Sequence, residues 1–132
     1  MILSILQTEE EHMASKTGRT RIDETALTRQ MLHELGIPVH RIGYRQLCIA
    51  IPLAARDPSL HITKELYPYI ASRFGYSNWH PVERAIRSAI YDAWNRRDTA
   101  IWNLYFPGYE KVPPNKLFIL ELAERINKTP LP

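Results

Sequence analysis

Cysteine is almost absent from this sequence: of 132 residues, only Cys48 carries a thiol. A single thiol closes no internal disulfide and builds no cysteine-rich zinc site, so a reducing, cytoplasmic setting is expected. Its neighbours Leu47 and Ile49 mark it as a small core residue rather than a nucleophile. Glycine is scarce as well. Five dispersed glycines make no phosphate-cradling loop. The five histidines, at positions 12, 33, 40, 61 and 80, show no close metal-ligand spacing. Long apolar runs are missing too. Met1–Leu6 is far too short for a membrane span, lacks a basic flank, and is broken off by Glu9, Glu10 and Glu11. No alternating apolar–polar run or hairpin turn signals a strand. Charge of one sign is only slightly in excess, with Lys+Arg 17 against Asp+Glu 14, a net +3 that permits an anionic partner without demanding one. These absences exclude a β fold and a membrane protein, and point to a non-enzyme with no metal and no cofactor.

What remains is helical patterning in a chain of ordinary composition, 45% hydrophobic and 23% charged. Residues 1–25 are polar and aperiodic after Leu6, and read as a flexible tail or linker; the alternative is a short partner-binding helix over Met1–Met13. Residues 26–132 read as one all-α domain of about six helices. Leu27, Met31, Leu32 and Leu35 recur at helical spacing, with Thr25 as the expected cap and Gly36 and Pro38 as the stop. A second helix is expected from Val39 to about Ala55, kinked or ended by Pro52. A third runs over Ile62–Phe74, capped by Thr63, with Pro68 either opening the helix proper or bending it. The fourth opens at Ser77 or Asn78. A last helix starts at Asn115, its expected cap, and carries the stripe Phe118, Ile119, Leu122 and Ile126.

The fourth pattern, Pro81–Trp94, divides the chain's chemistry most sharply. Val82, Ile86, Ala89, Ile90 and Ala93 share one face; Glu83, Arg84, Arg87, Ser88 and Tyr91 share the other. A surface helix covering a core has the same two faces, and Glu83–Arg87 is a favourable i,i+4 pair without any ligand. The segment before it adds weight. Ala71, small where two helices would cross, and Gly75, in the turn, fit a central helix-turn-helix in which Ile70, Phe74, Val82 and Ile86 make the apolar contacts. His80, Arg84, Arg87, Arg96 and Arg97 then gather on or beside its second helix. Arginines there grip guanine bidentately, and Glu83 accepts from a cytosine amino group. Asn78 and the free N–H groups at the helix start suit a phosphate. Trp79, Trp94 and Trp102 read as core and crossing residues.

Several blocks in a fixed order carry a family resemblance: His33–Pro38, Gly43-Tyr44, Ile62-Thr63-Lys64, Leu66-Tyr67-Pro68, Val82–Arg87, Ala89-Ile90 and Ala93-Trp94, with Asn115 and Phe118-Ile119 at the end. From about Ala26 to Ile126 the chain resembles the C-terminal DNA-binding effector domain of the stage-zero sporulation response regulators. The resemblance implies a six-helix fold whose fourth helix enters the DNA major groove and contacts the bases of a short asymmetric site. It implies base contacts at Glu83, Arg84 and Arg87, with Ser88 at the rim. The full set of expected DNA-contacting residues is Ser77, Asn78, His80, Glu83, Arg84, Arg87 and Ser88.

Three departures from the family pattern shape the expectation. Pro81 stands where the family usually carries an arginine, which removes one donor and points to a different target sequence. The segment from Ile51 to Ile62 is shorter and contains Pro52. In the family's activators that region touches the RNA polymerase sigma subunit, so the shortening counts against that partner. The twenty-odd leading residues are too few for a phosphoacceptor receiver domain. The expectation is a sequence-specific regulator of double-stranded promoter DNA that lacks a receiver and binds as a homodimer or in tandem. The rival is an interaction module that keeps the fold and antagonises or partners a full-length relative without specific DNA reading.

Overall fold

Leu35, Gly36 and Ile37 show how this chain ends a helix and turns. The Gly36 N–H bonds the His33 carbonyl (3.0 Å) and the Ile37 N–H the Leu32 carbonyl (2.9 Å). This is the Schellman arrangement, and it needs the left-handed φ of +81° that Gly36 adopts. The helix so ended, α1, spans Arg21–Glu34. The computed structural model describes residues 21–129, and residues 1–20 of the tail expected over residues 1–25 lie outside them. The boundary expected between residues 25 and 26 falls inside α1. Thr25 is therefore an interior residue of the helix and not its cap, with Asp23 and Glu24 in the first turn where acidic groups favour a helix start.

The remaining elements are α2 (Ile42–Arg56), a π-helical turn (Ile62–Leu66), α3 (Tyr67–Arg73), α4 (His80–Asn95), α5 (Thr99–Tyr105) and α6 (Asn115–Lys128). Among the described residues there is no strand, and the fold is all-α with six α-helices. Val39 lies before α2, exposed in the loop, rather than at its start. Pro52 does not end α2, which continues through it to Arg56 with the proline ring itself buried. One missing N–H is outweighed by a helix whose neighbours Ala50, Ile51, Ala54 and Ala55 are all in the core.

Pro68 sits in the first turn of α3, immediately after the π-helical turn. There the Leu66 N–H reaches the His61 carbonyl and the Tyr67 N–H the Ile62 carbonyl, five residues back. The wider turn relieves the clash a proline ring makes with the carbonyl four residues before it. The cap is His61, not Thr63: its Nδ1 accepts from the Lys64 N–H (3.2 Å), and its own N–H donates to Glu65 (2.8 Å). α3 ends at Gly75, with φ +73° and the Tyr76 N–H on the Ala71 carbonyl, the same Schellman stop as at Gly36.

The core is built around α2, which packs mainly against α6 and α4. Leu47, Ile51, Ile70, Val82, Ile86, Ile90, Phe118, Ile119 and Leu122 are fully enclosed in it. Trp102 closes one end. Its indole N–H donates to the Leu35 carbonyl (3.0 Å), and its ring meets Trp94 edge-on with centroids 5.4 Å apart. Beneath α1, Glu24 and Arg56 form a buried ion pair at 2.6 Å.

Candidate nucleic-acid interface

Three devices hold α4 in place: its own buried face, a close approach by α2 and a brace from α6. The inner face of α4 buries Val82, Ile86, Ala89, Ile90 and Ala93, as its periodicity predicts. Gly43 of α2 lies so close to α4 that a β-carbon there would overlap the Ala85 carbonyl oxygen and stand 2.8 Å from the Ala89 methyl. Only glycine permits this approach, and small residues on α4 complete it. From α6, the Asn115 amide donates to the Glu83 carbonyl (2.9 Å) and to the Tyr67 hydroxyl (3.3 Å), tying α4 to α3. Asn115 is thus the first residue of α6 and a brace between helices, not the expected cap.

The entry to α4 takes six residues, 74–79, longer than the three or four of a tight helix-turn-helix. Aromatic stacking organises it: Trp79 lies against His80 (4.1 Å between centroids) and against Tyr67 (5.9 Å). Asn78 accepts from the His80 N–H through its Oδ1 (3.0 Å). Pro81 has no N–H, and the Val82 and Glu83 N–H groups bond the Trp79 carbonyl. The helix start therefore offers no free N–H for a phosphate, contrary to expectation. Ser77, Asn78 and His80 are all exposed at this end.

Along the outer face, Arg84, Arg87, Ser88, Tyr91 and Asn95 are exposed at spacings that place them in a single stripe. At 1.5 Å per residue the stripe is about 16 Å long, enough to cross a major groove about 12 Å wide. Arg87 pairs with Glu83 at 3.0 Å, as the i,i+4 spacing predicts. Arg84 makes no hydrogen bond or ion pair among the described residues. Ser88 is engaged from outside α4: Arg41, just before α2, donates to its hydroxyl (3.1 Å) and pairs with Asp92 (3.1 Å). Asp92 also binds Arg96 at 2.8 Å. The Arg96 hydrogen bond first, then the charges of Arg96 and Arg41, hold the Asp92 carboxyl below its usual range.

The structure thus brings Glu83, Arg84, Arg87 and Ser88 onto one surface and leaves Ser77, Asn78 and His80 at its leading edge. Arg96 and Arg97, which the sequence groups with them, do other work. Arg96 donates to Asp92 and the Gly36 carbonyl, and Arg97 stacks over Trp94 at 3.8 Å while donating to its carbonyl. Tyr91 lines the same groove as Arg84 and Arg87, on the face its spacing predicts, and Arg41 and Asn95 line it without having been expected there. Arg41 was traceable in principle, since a glycine two residues later marks the point where its helix touches another.

Residues 28–126 match the family described as Sporulation initiation factor Spo0A C terminal.

Proposed function

The chain belongs to this family of DNA-binding effector domains, and from that premise we propose that it is a sequence-specific regulator of transcription that reads double-stranded promoter DNA through α4. The observation that carries the reading is Arg84, an exposed guanidinium on a rigid helix with no partner among the described residues. A charge left unpaired beside Arg87, on a helix held by Gly43 and Asn115, is preorganised for an acceptor outside the protein. Guanine presents two such acceptors in the major groove, at a spacing that matches a guanidinium.

In this reading Arg84 and Arg87 contact bases. Glu83 orients Arg87 and accepts from a cytosine amino group. Ser88 lies at the rim with Arg41 behind it. Ser77, Asn78 and His80 approach the sugar-phosphate backbone by side chain, because the helix-start N–H groups are occupied. Tyr91 and Asn95 extend the stripe, the first toward a thymine methyl and the second toward adenine. Pro81 contributes no base contact, so the preferred site differs from one read by an arginine there. Homodimeric or tandem binding on promoter DNA and a cytoplasmic location belong to the same proposal. Contact with the RNA polymerase sigma subunit is disfavoured by the short α2–α3 connection. The protein needs no cofactor and performs no catalysis in this account.

Selection from a random duplex library at two salt concentrations tests the proposal. An enriched motif whose binding survives moderate salt supports it. Affinity that is uniform across sequences and vanishes with salt leaves the rival, an interaction module on the same fold.

A further inference from the structure

A second concave surface, of about 400 Å³, opens among α1, α2 and the end of α3, and no α4 residue lines it. Its wall holds three arginines, Arg29, Arg45 and Arg73, and, among the described residues, no carboxylate; Thr25, Tyr44, Cys48, Ile49 and Phe74 complete the described lining. Three guanidiniums without a counter-charge repel one another, and an anion among them removes that repulsion. Two of the three are held by aromatic rings. Arg45 stands over Phe74 with its guanidinium carbon 5.4 Å from the ring centre. Arg73 lies 5.9 Å from the Tyr69 ring and donates to its hydroxyl at 2.9 Å. Stacking fixes the plane of a guanidinium and leaves N–H edges for a ligand. Burial pushes the Cys48 thiol up, and the Tyr44 hydroxyl first and Arg29 second oppose that push without outweighing it.

We propose that this cleft is a phosphate-binding site, in which Arg29, Arg45 and Arg73 converge on one phosphate group. A phosphate, with up to two charges and three terminal oxygens, suits several arginine forks better than a single planar carboxylate does. The phosphate comes either from a free phosphate ester or from the sugar-phosphate backbone of a bound duplex. The site does not depend on the α4 reading.

Cys48 makes the test direct, because it lines the cleft and is the only thiol in the chain. The rate of its alkylation by neutral iodoacetamide is measured on the full chain, at constant ionic strength, with inorganic phosphate replacing chloride, and separately with duplex DNA. Arg45→Gln and Arg73→Gln, both at exposed positions, are the controls, with melting curves to confirm that they fold. If the source is a free ester, inorganic phosphate slows alkylation several-fold in the parent and not in either variant. If the source is DNA, only the duplex slows it, and Arg45→Gln lowers the slope of log affinity against log salt by about 1. Arg84→Ala leaves protection by inorganic phosphate unchanged. A rate indifferent to both probes, or slowed equally in parent and variants, overturns the proposal.

Discussion

Replacing Gly43 with alanine probes how closely α2 holds α4. The added methyl would stand 2.8 Å from the Ala89 methyl and overlap the Ala85 carbonyl oxygen. Carbon atoms in contact prefer about 3.5–4.0 Å, so the two helices must separate by roughly 1 Å. Neither neighbour is the free end of a flexible side chain; one is backbone and the other a methyl fixed to it. Overpacking of this kind costs about 1–3 kcal/mol. Against it stands the helix propensity gained by losing a glycine, at most about 1 kcal/mol. Gly43 lies in the first turn of α2, where that gain is only partly realised. The net expectation is a loss of about 1–2 kcal/mol, with a fall in melting temperature of about 4 °C per kcal/mol. At 25 °C the variant still folds, so a duplex titration there reports the displacement of α4 rather than unfolding. Its affinity should fall, because α4 moves relative to Arg41 and the pairs to Ser88 and Asp92 are disturbed. A Gly43→Ala protein as stable as its parent, or more so, would refute the close-approach argument.

Asn115→Ala removes the bonds to the Glu83 carbonyl and the Tyr67 hydroxyl. It should lower stability by about 1–2 kcal/mol in urea titrations, and a Ser substitution that restores neither bond should not rescue it. Tyr105 gives a pH signature. Burial first, then the neighbouring Glu34 carboxylate, pushes its phenol up to about 12. An unfolded tyrosine titrates near pH 10, so Tyr105's contribution is intact below about pH 10 and is lost as pH rises toward about 12. Melting temperatures across that window should fall less in Tyr105→Phe than in the parent.

Element types were more legible in this chain than element ends. Apolar spacing alone located the buried faces of α4 and α6, because a 3.6-residue period survives whatever the termini do. Caps were another matter. Thr25, Thr63 and Asn115 all have the right side chain for a helix start, yet none caps one. Asn115 shows why: its amide finds the Glu83 carbonyl, 32 residues away in sequence, and a local preference gives way to a long-range bond. The π-helical turn before Pro68 is not legible in the sequence for a related reason. A proline announces that the regular ladder is broken but not how the chain accommodates the break.

The outer face of α4 was legible where it depended on α4 alone. Arg84, Arg87 and Ser88 lie where the helical wheel puts them, and Glu83 pairs with Arg87 as its spacing predicts. What depended on other elements was hidden. Arg41 reaches Ser88 from 47 positions away, and only the α2–α4 crossing at Gly43 brings it there. The helix start failed in the opposite direction. Its N–H groups look free in the sequence, but Asn78 and the Trp79 carbonyl take them.

The central claim is that Arg84 on α4 reads a base. The most direct measurement is a comparison of the duplex motifs selected by the parent and by Arg84→Ala, with affinities for the parent's best site. The account predicts that the variant folds normally and binds that site about 1–3 kcal/mol more weakly. It also predicts that preference is lost at one guanine position while the rest of the motif stays as it was. An Arg84→Ala protein that selects the parent's motif unchanged at every position would contradict it.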